Sequence, residues 1–283
     1  MTVDSVTVVV PHHNRPDFVR EALLSIHNQT AKPTEVLLVD DDSSPENLDK
    51  LRGLSSLATI LTTSKNVGVA AARNFGAQNA KSEWLAFLDD DDCWLPDKQE
   101  RQIHYLEAHP QVMALGGGAT MVTPEGREEY WGEKTTQRLT LAHALCYTAS
   151  LSGGLMIRRD IFLEMGGFNP RMVPVEDYEF GIRLLASGHE THFLGEPLFI
   201  YRRGGRQQLS LEWGKTFRAG MRVLNMHAGL ARSEFGPFGA IRLKARYCKK
   251  YGLQKGRLLG RSVWALGCAL EAIFGRQYVD FDA

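Results

Sequence analysis

Two apolar stretches of this chain each run straight into a cluster of aspartates, and that pattern restricts the fold more than any other feature. Glu35–Val39 ends in Asp40-Asp41-Asp42-Ser43-Ser44-Pro45, and Trp84–Leu88 ends in Asp89-Asp90-Asp91-Asp92. Short continuous apolar runs of this kind read as strands buried on both faces. Val6–Val10 opens the chain in the same way, and Leu57–Leu61 adds a fourth run. Helical patterns lie between them. Phe18, Val19, Ala22, Leu23 and Ile26 recur at helical spacing, with Asn14 placed to cap and Pro16 in the first turn. Val67–Ala80 is an Ala-rich helix, and Pro96–Ala108 is a helix that stops before Pro110. Strand and helix alternating at this spacing predict right-handed βαβ units, hence an α/β fold with a Rossmann-like, mostly parallel sheet flanked by helices. Ligands of such sheets bind beyond the carboxyl ends of the strands, where both aspartate clusters fall.

After Gln111 the pattern loosens. Val112–Leu115 reads as a strand followed by a Gly-rich bend, and Leu155–Ile157 as a short strand. Arg159–Met165 and Asp177–Ala186 read as helices closed by Gly166-Gly167 and Gly188. Thr191–Leu194 and Leu198–Tyr201 are short strands, and the chain from about Leu211 to Phe281 is helical and basic. The division that follows is a domain over 1–210, with a nucleotide half to about 110 and an acceptor half beyond it. A helical extension covers 211–283, and the softest boundary lies at Arg203–Leu211.

Lys plus Arg and Asp plus Glu number 33 each, so net charge gives no reason to expect a nucleic-acid partner. The basic C-terminal part could face anionic lipid or an anionic acceptor, against the plainer reading of a solvated helical surface. Trp264, Leu266, Leu270 and Phe274 are candidates for a membrane-contact or homodimer face; packing back on the core is the simpler expectation. Val263–Phe274 falls short of the ~20 residues that span a bilayer. Cys93, Cys146, Cys248 and Cys268 are scattered without a CxxC, which argues against zinc and a disulfide framework. The start, MTVDSVTVVVPHHN, has no basic segment followed by a long apolar one, so no signal peptide is read. A cytoplasmic protein, peripheral to the inner membrane face at most, is the expectation.

Four segments carry chemistry. Four adjacent carboxylates in FLDDDDCWLP repel one another unless a cation joins them. Hard divalent ions such as Mg²⁺ or Mn²⁺ take such oxygens together with substrate phosphates; the alternative is an acidic turn in which Asp92 caps the next helix. In VDDDSS, a carboxylate at a strand end could accept the N–H of a uracil or thymine ring, or merely form an Asx-turn. In NVGVAAARN, glycine allows close backbone approach and Arg73 could reach a phosphate. In VEDYEFGIRLL, Glu176 and Asp177 sit at a helix N-terminus, where the macrodipole favours negative charge; spacing alone makes the Asp a capping residue as readily as a base.

These segments, in this order from Val6 to about Arg203, resemble the inverting family 2 glycosyltransferases of the GT-A fold. VTVVVPHHNRP resembles the strand and loop lining the family's nucleotide pocket, implicating Pro11, His12 and Asn14, although His12-His13 replaces the usual Thr-Tyr type of pair. VDDDSS resembles Val-Asp-Asp-Gly-Ser, whose first Asp holds uracil, here Asp40; Asp42 stands where the family has Gly. NVGVAAARN resembles Asn-x-Gly-x-x-x-Ala-Arg-Asn and implicates Asn66, Gly68 and Arg73. FLDDDDCWLP resembles the DxD segment, which makes Asp91 the metal ligand, with Asp89 or Asp90 on the ribose or sharing the metal. The EDY at Glu176–Tyr178 resembles the family's Glu-Asp pair and makes Asp177 the catalytic base. Gly204, Gly205 and Arg206 stand where the family often carries a His, and Arg206 could replace it on the diphosphate; the Gly-rich loop at 202–208 could close over the donor.

The resemblance implies a metal-dependent, hexosyltransferase-like enzyme using Mn²⁺ or Mg²⁺. Its donor would be a UDP-sugar, and its acceptor a glycan or lipid-linked glycan of a cell-surface polysaccharide. Two rivals are a nucleotidyltransferase, which would carry a Gly-rich loop where PHHNRP stands, and a catalytically silent nucleotide-sugar-binding scaffold, which would lack Asp177.

Overall fold

The computed structural model describes residues 2–146, 153–204, 212–253 and 258–274. The first half alternates as expected: β1 (Val6–His12), α1 (Pro16–His27), β2 (Glu35–Asp40), α2 (Pro45–Arg52), β3 (Thr59–Thr62), α3 (Val69–Asn79) and β4 (Trp84–Phe87). These four strands lie parallel in the order β3-β2-β1-β4. The short β5 (Cys93–Trp94), which the sequence does not announce, precedes α4 (Lys98–Ala108).

The second half extends the same sheet. Next come β6 (Ala114–Val122), β7 (Glu128–Trp131), β8 (Gln137–Arg138), α5 (Leu141–Leu145), β9 (Met156–Arg158), α6 (Arg159–Glu164), α7 (Glu176–Ala186) and β10 (Thr191–Arg202). The full order is β3-β2-β1-β4-β9-β6-β10-β5, with β9 the antiparallel link between the parallel set and the parallel pair β6-β10. Two expectations are corrected here. The predicted Gly-rich bend is strand: β6 runs through Gly116-Gly117-Gly118 because its neighbours press in, and a Cβ on Gly117 would lie 2.1 Å from Leu198 Cδ1. The two short strands near residue 195 are one, β10, with its register shifted around Pro197.

Apolar side chains fill both faces of the sheet. Val8, Val10, Leu23, Ile26 and Trp94 belong to the face covered by α1, α2 and α4. Val9, Leu37, Phe87, Phe162 and Phe180 belong to the face covered by α3, α6 and α7. Gly76 lets α3 approach β1 closely, since a Cβ there would sit 2.4 Å from Val9 Cγ1.

The C-terminal helices are α8 (Trp213–Met226), α9 (Ala228–Phe235), α10 (Gly239–Leu253) and α11 (Leu258–Phe274). Val223, Leu224, Leu243 and Tyr247 join Tyr178 and Ile182 of α7 in a third apolar cluster. Most of the proposed domain boundary, 205–211, lies outside the described residues. Among the described residues no helix is long and apolar enough to cross a membrane. All four cysteines are free thiols.

Candidate active site

The carboxyl ends of β1, β2 and β4 form one polar edge. Pairing of β1 with β4 stops at Val9, whereas pairing with β2 continues to His12. Pro11, buried and without an N–H, therefore lies where β4 has left the ladder and the two chains diverge. The four aspartates after β4 turn into that opening.

The run does not act as one block. Asp89, Asp91 and Asp92 each offer a carboxylate oxygen, and these oxygens lie within 4.8 Å of one another. Burial, then repulsion from Asp89, raises the Asp91 carboxyl above its ordinary range, although Arg15 opposes this. Burial, then Asp89 and Asp91, raises Asp92 further. Asp90 faces the other way, 1% exposed, and is held by His12 and Arg15. The Arg15 N–H donates to His12 Nε2 at 3.3 Å, so the ring proton is on Nδ1, which donates to Asp90 Oδ2 at 2.9 Å. Asp92 does not cap the next helix, the alternative for the acidic turn: that N-cap position belongs to Asp97, and Asp92 accepts the Arg202 N–H at 3.0 Å instead.

Two arginines border the trio. Arg15 donates to Asp91 Oδ2 at 2.9 Å and also to Asp90. Arg73, 3% exposed, donates to Glu176 Oε1 at 2.7 Å and to Asp89. Its guanidinium lies 5.5 Å from the Phe168 ring centroid. Burial works against the charge on Arg73, yet Asp89 and Glu176 overcome it and hold the group firmly protonated. Burial raises Glu176 despite the arginine. Arg73 Nε and Glu176 Oε2 are buried without a hydrogen-bond partner. Asp177, beside Glu176 at the start of α7, is half-buried, and its Oδ1 accepts the Tyr178 N–H at 2.8 Å.

The residues at the ends of β1 and β2 form a second network. Asp40 is fully buried; Oδ2 accepts the Ser43 N–H at 3.3 Å, and Oδ1 has no hydrogen-bond partner. Asp41, the second acid of the cluster, pins the following loop by accepting the N–H groups of Val67 at 2.8 Å and Gly68 at 2.7 Å. Asp42 accepts the Asn66 N–H at 3.2 Å and adopts φ 62°, a left-handed conformation that explains why glycine suits this position. Asn66 Nδ2 lies 3.3 Å from the His13 ring nitrogens. Asn14 does not cap α1, contrary to expectation; the N-cap is Arg15. Asn14 has φ 56°, and its Oδ1 accepts from Ser44 N at 2.8 Å and Asn47 Nδ2 at 3.0 Å, joining the β1 loop to the start of α2.

Gly68, the N-cap of α3, has φ 86° and ψ 158°, a region open in practice to glycine alone. Gly68→Ala meets no steric neighbour, so backbone strain is its main cost. It is expected to lower stability by about 1–3 kcal/mol in urea unfolding and to displace the loop that Asp41 pins.

The structure thus brings Asp89, Asp91, Arg73 and Asp177 to one edge, with Pro11, His12, Asp40, Asn66 and Gly68 beside it, and turns Asp90 away. Arg15 and Asp41 are additions, and Asp92 and Glu176, which the motifs contain without a site role, join them. The signal for Arg15 lay in the topology: a cation just past β1 must meet whatever follows the adjacent parallel β4. The expected phosphate ligand Arg206 lies outside the described residues.

Residues 7–166 match the family Glycosyl transferase family 2. An uncharacterized glycosyltransferase of Haemophilus influenzae is 32% identical over 68% of this chain and 66% of its own length, so the match spans just under two thirds of that protein. The amylovoran biosynthesis glycosyltransferase AmsE of Erwinia amylovora is 26% identical over 71% of this chain and 76% of its own. Among solved structures, S. aureus TarS 1-349 in complex with UDP-GlcNAc superposes with a TM-score of 0.64 at 18% identity, covering 98% of this chain and 95% of that one. The mannosyltransferase PcManGT from Pyrobaculum calidifontis, in complex with GDP-Man and Mn²⁺, gives 0.58 at 19% identity over 98% and 81%. At these identities the structural likeness concerns the fold.

Proposed function

Because the chain belongs to glycosyl transferase family 2 and has a GT-A-type fold, we propose that it is an inverting enzyme. It moves a sugar from a UDP-sugar to a hydroxyl of a glycan or lipid-linked acceptor in cell-surface polysaccharide synthesis. The observation that carries this reading is the ion-pair chain Asp89–Arg73–Glu176, which fastens the helix bearing Asp177 to the acidic edge. The name of AmsE supports the polysaccharide context, and the nucleotide bound by TarS supports UDP.

On this reading Asp40 receives the imino hydrogen of the base at Oδ1, a buried acceptor with nothing else to bind. Asn66 and Gly68 shape the loop beside it. The oxygen donors of Asp89, Asp91 and Asp92, buried and crowded enough to raise the pKa of two of them, fit a hard divalent cation such as Mn²⁺ or Mg²⁺. Bound there, the cation supplies positive charge against the leaving diphosphate. Asp177 takes the proton of the acceptor hydroxyl as its oxygen attacks the anomeric carbon; the bond to the diphosphate breaks on the opposite face, and the centre inverts. Glu176 is buried and committed to Arg73, whereas Asp177 beside it is half-buried. Arg15 orients Asp91, and His12 orients Asp90 behind it.

Calorimetric titration with UDP, with Mn²⁺ and then with chelator, tests the donor site. Metal-dependent binding that is lost in Asp91→Ala is the expected result, with GDP and dTDP binding more weakly. Failure of the folded, metal-supplied protein to bind any of the three overturns the donor site and leaves the silent scaffold as the better account.

A further inference from the structure

We propose that α10 and α11 form a docking surface for an anionic lipid bilayer, with α11 lying flat at the headgroup level. The two helices are a close pair. A Cβ on Gly267 of α11 would sit 2.7 Å from the Ala245 carbonyl oxygen of α10. Lys249 pairs with Glu271 at 2.7 Å, and Arg242 Nε donates to the Phe274 carbonyl at 2.6 Å. Packing therefore uses up the Gly267 side of α11.

The other side is apolar and open. Trp264, Leu266 and Ile273 are 40%, 54% and 72% exposed, and Ala265, Ala269 and Ala272 between them are exposed as well. The sequence expectation that Trp264 and Leu266 pack back on the core is thus corrected; Leu270 and Phe274 are half-buried. Scattered exposed apolar residues are ordinary, but a run of them along one helix marks an interaction surface.

Charge selects the occupant. The sequence of residues 239–274 carries eight Lys and Arg against one acid, Glu271; Lys249 is spent on that acid and Arg242 on the Phe274 carbonyl, which leaves six cations and no further acid. A second copy of the chain would present the same positive charge to itself across a symmetric interface. An anionic leaflet offers the complementary charge together with an apolar boundary layer. A tryptophan beside aliphatic side chains in a basic stretch of sequence is the pattern of helices that lie in that layer. No helix among the described residues can span the bilayer, so the contact is a surface one. The inference does not depend on which donor or acceptor the site takes.

The test is co-sedimentation of the full chain with phosphatidylcholine vesicles, with and without phosphatidylglycerol. Binding is expected only with phosphatidylglycerol, and to weaken as salt rises. Leu266→Glu and Ile273→Glu should each weaken it by about tenfold or more, and Lys244→Glu by about tenfold, with UDP binding and circular dichroism unchanged. If Leu266→Glu fails to fold, Ile273→Glu, the most exposed of the three, carries the test. Absence of vesicle binding by the folded protein overturns the proposal, as does binding indifferent to these substitutions. A dimer in light scattering that Ile273→Glu converts to monomer, without vesicle binding, assigns the face to a second copy instead.

Discussion

Asp177→Asn is expected to slow sugar transfer about 10²–10⁴-fold, the usual contribution of a positioned general base, while the affinity for UDP stays within about twofold of the native value. The substitution is nearly isosteric and keeps the oxygen that accepts the Tyr178 N–H. Asp177 is half-buried, and the ion pair that ties the start of α7 to the edge is made by its neighbour Glu176 with Arg73. Rate and binding should therefore separate. The checks are the initial rate of UDP release in the presence of acceptor and the UDP dissociation constant by calorimetry. Simultaneous loss of both would make Asp177 a builder of the site rather than its base.

Arg73→Met should have the largest effect on the folded state. It leaves Glu176, 6% exposed, as a buried carboxylate without its counter-charge. Breaking a buried pair by removing one partner costs about 3–5 kcal/mol, a fall in melting temperature on the order of 10 °C for a chain of this size. Asp89 suffers less, because its side chain is 31% exposed and water can replace part of the interaction. The double variant Arg73→Met with Glu176→Gln should recover much of the lost stability, since it removes the stranded charge. It should not recover UDP binding, because Asp89 and the start of α7 lose their common anchor. A single variant that melts within a degree or two of the native chain would falsify the buried bridge.

The βαβ half was legible because its strands are continuous apolar runs and its aspartates sit at their ends. The second half was harder for physical reasons. β6 contains three successive glycines, which signal a bend on local preference; tertiary contacts with Leu198 and Tyr130 instead demand small residues within a strand. β10 is interrupted by Gly195 and Pro197, so its two ends look like separate strands although both pair with β6. In the site, composition announced the four acids but not their division, with three turned one way and Asp90 the other. That split comes from His12 and Arg15, more than seventy residues distant in sequence. Asn14 looked like a helix cap because of its place before Pro16. Its positive φ directs it to Ser44 and Asn47 instead, a long-range bond invisible to local pattern.

The bridge from Arg73 to Glu176 also bears on synthesis of the chain. A ribosome that has released the parallel strands β3-β2-β1-β4 has made Arg73 and Asp89, but Glu176 follows Arg73 by 103 residues. Strand β9, which covers the open edge of β4, also comes late. Until those parts emerge, the nascent half holds a cation meant for burial and an unpaired strand edge, both of which expose it to chaperones and to aggregation. Completion of the fold thus waits on the segment that carries the proposed base.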